Sequence, residues 1–371
     1  MVKVGINGFG RIGRLTFRYA FEMPEVDVVH VNELVGGAET AAYLVKYDSV
    51  HGTWPKACSS SSADSFTVDG RSVSFSEHED FTQVDWAAKG VELVIDCTGK
   101  FLTVAALQPY LDKCGVKRVV VSAPVKEPSV LNVVVGVNDD KLTAEHVIST
   151  AASCTTNCIA PVIKVIQAEL GIESGMITTV HNLTGTQPMV DMANTKKKDL
   201  RRCRSGMLNL APTTTGSATA VAEVFPELKG KLNGHAIRVP MLNSSLTDMV
   251  FNVKRPTTAA EVNAMLEKAS SAAGTLGLAP TAEHGAILGY ETQPLVSTDY
   301  VNDVRSSVVD AASTMVVGGS MVKIYAWYDN EAGCVPKRAR ARTRAHPPAR
   351  LPAHSRAAIV LLRTFCIVPS R

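Results

Sequence analysis

The 371-residue chain has no apolar run near the roughly 18 residues that a membrane-spanning helix needs, so no membrane protein is expected. Its first residues, MVKVGINGFGRIG, hold no basic segment followed by a long apolar one, and no secretory signal is read there. The eight cysteines form no CxxC pair and no Cys/His cluster with zinc-ligand spacing, so no metal site is expected. Reduced thiols and a cytoplasmic location follow as expectations. No internal repeat is evident. Charged residues are only 20% of the chain against 46% hydrophobic, which excludes a wholly disordered, collagen-like or coiled-coil protein. The excess positive charge sits in one place. Residues 336–371 hold Lys337 and eight arginines with no Asp or Glu, a charge of +9, so the net +3 leaves residues 1–335 at −6. That mildly acidic body gives no reason to expect a nucleic-acid partner. At roughly 100–200 residues per domain, the length predicts two domains with ample material for a core.

The first half of the chain reads as alternating strands and helices. Val2–Asn7 is a short β-branched run leading into Gly8-Phe9-Gly10-Arg11-Ile12-Gly13; residues 14–21 then carry a helical pattern, and a second strand over residues 26–31 closes at Asn32-Glu33. Further apolar runs at residues 93–97, 118–121 and 133–137 predict more strands of a parallel sheet covered on both faces. Ser59–Ser62 with its polar neighbours reads as a surface loop. A GxGxxG alone is a weak signal, but this one follows a strand, opens a helix, and has an acid, Glu33, 20 positions after Gly13. Gly8 would allow the tight turn, Gly10 the approach of a pyrophosphate, and Gly13 close helix–strand packing. The helix N-terminus would present free N–H groups to phosphates. Glu33 could bond the ribose hydroxyls and repel a 2′-phosphate, favouring NAD over NADP.

A second constellation is Ser153-Cys154-Thr155-Thr156-Asn157-Cys158, followed by a helical pattern over residues 159–170 and by His181. That places Cys154 near a helix N-terminus, where positive potential favours the thiolate. A histidine within hydrogen-bond reach would complete the activation as a base. Whether His181 reaches Cys154 is not readable from the sequence. Cys158, Cys97, Cys114 and Cys203 are expected to be packed core thiols.

Taken together, KVGINGFGRIGR, SCTTNCIAP, TTVHNLTGTQ, PTTTGSATAV, PELKGKLNGHAIRVP and KIYAWYDNE resemble the phosphorylating glyceraldehyde-3-phosphate dehydrogenase family over residues 1 to about 333, including the 27 residues from Cys154 to His181. The resemblance implies an α/β fold: a Rossmann-type, doubly wound parallel sheet over residues 1–153, and an α+β catalytic domain with a mainly antiparallel sheet over 154–320. Residues 321–335 would return to the cofactor site, and 336–371 would be a basic, disordered tail. It further implies NAD-dependent oxidative phosphorylation of glyceraldehyde 3-phosphate to 1,3-bisphosphoglycerate, with Cys154 carrying first a thiohemiacetal and then a thioester, and His181 as base. By the same resemblance, Thr184, Thr186 and Arg238 hold the substrate phosphate. Ser153, Thr155, Thr215 and Gly216 line the site of the attacking inorganic phosphate, and Arg202 is a further anion-binding residue. Around NAD it assigns Gly8, Gly10, Arg11, Ile12, Gly13, Glu33, Thr98, Gly99, Ser122 and Asn330. The family assembles as a homotetramer. Erythrose-4-phosphate dehydrogenase and a non-catalytic binding protein using the basic tail stand as rival readings. The Thr213-Thr214-Thr215-Gly216 turn for a second phosphate argues against the first, and the full set of catalytic residues against the second.

Several positions depart from the family pattern. Glu33 stands where an aspartate is usual, and His78 where an arginine often contacts the adenine region. The stretch Met192–Lys198 is about two residues longer than usual and contains Lys196-Lys197-Lys198, which leaves dual NAD/NADP use open. After Asn330-Glu331 the family continues with a long amphipathic helix. Here Pro336–Arg342 has no helical apolar face, and Pro347, Pro348 and Pro352 would break a helix. The Arg/Ala/Pro composition resembles an out-of-frame or unspliced reading.

Overall fold

The structure, a computed structural model, describes residues 1–185, 187–193, 199–280 and 286–333. Thr186, the lysine run at 196–198 and the segment 336–371 lie outside the described residues. The described chain folds as two compact units: Met1–Val133 with Lys141–Ala152, and Val134–Asp140 with the described residues from Ser153 to Gly333.

The first unit begins with β1 (Val2–Asn7), α1 (Arg11–Phe21), β2 (Val26–Asn32) and α2 (Gly37–Lys46). The short strands β3 (Cys58–Ser62), β4 (Ser65–Val68) and β5 (Arg71–Ser76) follow. Then come β6 (Leu93–Asp96), α3 (Val104–Asp112), β7 (Arg118–Val121), β8 (Leu131–Asn132) and β9 (Ile148–Thr150). Among the described residues they form one nine-stranded sheet in the order β3-β4-β5-β2-β1-β6-β7-β9-β8. From β5 to β8 every neighbouring pair is parallel, and β3 and β4 add an antiparallel edge. The apolar runs of β1, β6 and β7 are buried because the sheet is covered on both faces. The chain leaves β1 to one side for β2 and later returns on its other side as β6. This reversal of strand order is where doubly wound sheets open a crevice at the carboxyl ends of their strands.

Two local expectations are corrected. Ser59–Ser62 is not a loop but part of β3, where Ser59 pairs with Thr67 of β4 by backbone and by hydroxyl at 2.8 Å. An edge strand with one solvated face tolerates serine at every position. The valine-rich run at 133–137 is not a strand. Val133 still donates to the Thr150 carbonyl of β9 at 2.9 Å, but beyond it Asn138 Oδ1 accepts the Val134 N–H at 2.7 Å and Asp139 Oδ1 the Gly136 N–H at 2.7 Å, so side chains and a turn replace the ladder.

The second unit contains α4 (Cys154–Glu169), β10 (Ile172–His181), β11 (Ala211–Thr214), α5 (Ser217–Val224), β12 (Leu232–Arg238) and β13 (Ser245–Val253). It closes with α6 (Ala259–Ser270), β14 (Leu288–Glu291), β15 (Ser307–Val317) and β16 (Met321–Tyr328). The sheet order is β11-β12-β10-β13-β16-β15-β14. β10–β12 and β14–β15 run parallel and the other neighbours antiparallel, so the sheet is mixed, with antiparallel pairs in the majority. Helix α4 buries Val162, Ile163, Val165 and Ile166 against this unit's core.

Candidate active site

In the first unit, the residues expected around a dinucleotide lie at the carboxyl ends of parallel strands. Gly8 follows β1 with φ +88°, a conformation costly for any residue with a Cβ. Gly13 lies so close to the turn that an added Cβ would stand 2.0 Å from the Gly8 carbonyl oxygen. Gly10 caps α1 without a side chain, and the first turn of the helix carries no acid. A helix start so uncapped and so approachable suits a pyrophosphate, whose oxygens accept from backbone N–H groups. The Arg11 side chain points elsewhere, forming a two-pronged ion pair with Asp48 at 3.0 and 3.1 Å. Burial opposes the charge on Asp48, yet the His51 N–H and Arg11 hold its carboxyl well below the usual range. Arg11 and Ile12 would therefore serve a phosphate through their backbone.

Glu33, just past β2, reaches the same turn. Its carboxylate accepts the Phe9 N–H at 2.5 Å and the Leu34 N–H at 2.6 Å. The longer acid thus spans from the strand end to the glycine turn. Past β6, Thr98 donates to Asp96 Oδ1 from its N–H at 3.0 Å and its hydroxyl at 2.6 Å. Tyr110 donates to the other oxygen of Asp96 at 2.8 Å, and Asn7 donates to Tyr110 at 2.6 Å. Burial raises the Asp96 pKa, but these donors hold the group in place. Gly99 follows with φ +62°, and Ser122, past β7, donates its N–H to the Asp96 carbonyl at 2.9 Å.

The thiol site is in the second unit. Ser153 caps α4 by accepting the Thr156 N–H at 3.1 Å, and its hydroxyl meets that of Ser217 at 2.8 Å. Cys154 is the first residue of the helix, and its Sγ lies 3.5 Å from His181 Nε2. His181 ends β10 and Arg238 ends β12. The parallel register pairs the two, and Arg238 Nη1 stands 2.8 Å from His181 Nδ1. Burial first, then the charges of Arg238 and Arg202, push the His181 pKa down to about 3, so the ring is neutral near pH 7. Arg202 is itself buried, in the short helix Leu200–Cys203, and donates to the Thr214 carbonyl at 3.3 Å. Thr215 accepts the Ser217 N–H at 3.2 Å, and Gly216 caps α5 without a side chain. Thr184 follows β10, its N–H directed to Gln187 at 3.4 Å.

Tyr328, at the end of β16, shares hydrogen bonds of 2.9 Å with the hydroxyls of Thr155 and Thr179. Asn330 Oδ1 accepts from Ser245 at 3.1 Å and from Asn182 Nδ2 at 3.4 Å. Both bonds fix the amide so that its Nδ2 is the end left to donate to a ligand. Tyr328, Asn182 and Ser217 lie inside the quoted motifs without a role read for them there, and Ser245, like Asp96 in the first unit, lies in none of them. The other thiols are not all core residues. Cys114 and Cys158 are buried, whereas Cys97 and Cys203 are half-buried. Burial pushes the Cys158 thiol up to about 12, which leaves Cys154 as the thiol facing a base.

This arrangement has close parallels in known proteins. Residues 2–104 match the NAD binding domain of glyceraldehyde 3-phosphate dehydrogenase, and residues 153–330 match its C-terminal domain. The chain is 56% identical over 335 residues to glyceraldehyde-3-phosphate dehydrogenase 3 of Nostoc sp., covering 90% of this chain and 95% of that one. It is 47% identical to glyceraldehyde-3-phosphate dehydrogenase 1 of Bacillus subtilis and 46% to the Geobacillus stearothermophilus enzyme, each across 90% of this chain and 94% of the relative. A glycine turn reached by an acid, a thiol beside a histidine at a helix start, and matches to both domains place the chain in the glyceraldehyde 3-phosphate dehydrogenase family.

Proposed function

We propose that the chain oxidises glyceraldehyde 3-phosphate with NAD and inorganic phosphate to 1,3-bisphosphoglycerate, with Cys154 as nucleophile and His181 as base. The observation that carries this reading is the 3.5 Å approach of Cys154 Sγ to His181 Nε2 at the N-terminus of α4. His181 takes the thiol proton, and the thiolate attacks the aldehyde carbon to give a thiohemiacetal. The ring then faces the new oxyanion and returns or withdraws its proton. When bound, NAD supplies the acceptor for the aldehyde hydrogen and its electron pair. Cys154 is left as a thioester, which conserves the oxidation energy that direct hydrolysis would lose. Phosphate attacks its carbonyl carbon, and the thiolate leaves.

Two anions need partners. Arg238, with Thr184 and Thr186, suits the substrate phosphate. Ser153, Thr155, Thr215 and Gly216 suit the attacking one, and Arg202 adds charge nearby. For NAD, Gly8, Gly10, Arg11, Ile12 and Gly13 offer the pyrophosphate turn and Glu33 an acceptor for ribose. Thr98, Gly99 and Ser122 follow neighbouring strands, and Asn330 offers an N–H donor for the carboxamide. We read residues 1–153 as the cofactor domain, 154–320 as the catalytic domain and 321–335 as the return segment. Association into a homotetramer is supported by the exposed apolar side chains of Met189, Val190, Leu200, Leu208 and Leu210. No helix among the described residues is long and apolar enough to cross a membrane, and we place the enzyme in the cytoplasm.

The test is reduction of NAD by the purified chain with glyceraldehyde 3-phosphate, with and without inorganic phosphate. Steady turnover should require phosphate. Cys154→Ser should abolish turnover while NAD still quenches tryptophan fluorescence; retained turnover in that variant would remove Cys154 from the reaction.

A further inference from the structure

The Asn330 amide is held at one end and free at the other. Its oxygen accepts from Ser245 and Asn182, whereas Nδ2 has no acceptor among the described residues. The sheet of the second unit brings the three residues together. β13 lies between β10 and β16. Its first residue, Ser245, pairs with Tyr328 at the end of β16, and Leu246 pairs with Val180 near the end of β10. Asn182 follows β10, and Asn330 lies two residues past β16. The start of one strand thus stands between the ends of two others. Ser244, just before it, has φ +66°, which is uncommon for a residue with a Cβ.

Ser245 has one hydrogen to give. Its oxygen accepts the Asn182 N–H at 3.1 Å, and its hydrogen goes to Asn330 Oδ1 at 3.1 Å. Among the described residues that hydrogen finds no other acceptor. A turned Asn330 amide would present Nδ2 to Ser245 and to Asn182 Nδ2. Two amide donors would then face each other, and the Ser245 hydrogen would lose its partner. Asn182, Ser245 and Asn330 are at most 2% exposed, so no solvent makes good the loss. Asn182 has a second duty, since its carbonyl oxygen lies 2.9 Å from His181 Nδ1. One residue therefore holds both the amide and the base.

We propose that Ser245, backed by Asn182, is a positioning residue for the cofactor: it fixes Asn330 as a donor, so that a nicotinamide is held by its carbonyl oxygen and its amino group goes unread. Ser245 itself touches no ligand; it acts through Asn330. The inference rests on the reading of Asn330 as the residue that bonds the carboxamide.

The probe is the acetylpyridine analogue of NAD. Its ring carries a carbonyl and no amino group, so only a donor can hold it. ADP-ribose is the control, because it keeps the adenosine, both phosphates and the second ribose but lacks the ring. Binding of each to the full-length chain is measured by calorimetric titration. Ser245→Ala should weaken the analogue about tenfold and leave ADP-ribose unchanged. Unchanged binding of the analogue overturns the proposal. Equal weakening of both ligands also overturns it, since a merely structural loss would not single out the ring. Asn330→Ala separates this inference from the reading beneath it. If that variant binds the analogue as the wild type does, Asn330 is not the ligand of the carboxamide, and both fall. If it loses the analogue while Ser245→Ala does not, the positioning role alone falls. Should Ser245→Ala fold poorly, Asn182→Ala decides, because it removes one donor to Oδ1 and keeps the backbone bonds to Ser245 and His181. It should weaken the analogue about threefold and spare ADP-ribose; unchanged binding of the analogue overturns the proposal.

Discussion

Gly13 illustrates how much one residue can decide. A methyl group there would stand 2.0 Å from the Gly8 carbonyl oxygen, a backbone atom that cannot swing aside. Gly13→Ala should cost about 1–3 kcal/mol in urea unfolding and weaken NAD binding in the same protein. Wild-type values for both would mean that the helix and the turn are not packed as described. At this scale the sequence was most legible where chemistry demands a residue type in a fixed order: three glycines, an acid 20 positions on, a cysteine at a helix start. It was silent on partners. Nothing in the spacing shows that Arg11 spends its charge on Asp48, or that Glu33 accepts the Phe9 N–H in the middle of the glycine turn.

Among the elements, β10, β12 and β16 do most to shape the thiol site, since their last residues are His181, Arg238 and Tyr328. The hydroxyl of Tyr328 joins α4 to β10 by bonding Thr155 and Thr179. Tyr328→Phe would leave two buried threonine hydroxyls short of a partner. We expect a loss of about 1–3 kcal/mol in stability, together with a lower rate of Cys154 alkylation. An unchanged melting temperature would show the bridge to be idle. The parallel core of the first sheet was readable from its apolar runs, because strands buried on both faces lack polar positions. The β3–β4–β5 edge was not, since a half-solvated strand of serines has the composition of a loop. The valine run at 133–137 erred in the opposite direction: its residues suit a strand, but Asn138 and Asp139 fold the backbone into turns.

For the molecule as a whole, acid should be the weak side. His30, buried edge-on to Trp86, and His181 are both pushed down to about 3, each by burial first. In the unfolded chain they titrate near about 6.5. Between those values the unfolded state binds more protons, so stability is complete above about pH 6.5 and drains as the pH falls toward about 3. Each ring contributes a loss of about 1.4 kcal/mol per pH unit within that window. Thermal melts from about pH 7 to about pH 4.5 should show a steady fall, smaller in His30→Asn; a flat profile would mean that neither ring is held neutral. The family and the two-domain plan were legible over nine-tenths of the chain because the motifs recur in a set order. The burial of these two rings was not, since nothing distinguishes a core histidine from a surface one until the sheet closes over it.

The position of β16 in the second sheet has a consequence in time. This strand lies between β13 and β15, in the interior of the sheet, yet it is the last strand described. Thr155 must wait for Tyr328, 173 residues later in the chain. At roughly 5–20 residues per second, a ribosome needs roughly 9–35 s to make that stretch. Throughout that interval the nascent polypeptide carries Cys154 beside a sheet with an open slot. The thiol site is thus finished only once β16 is made, and a stalled or truncated product that stops before residue 321 would expose an unpaired strand edge to its neighbours instead of a completed site.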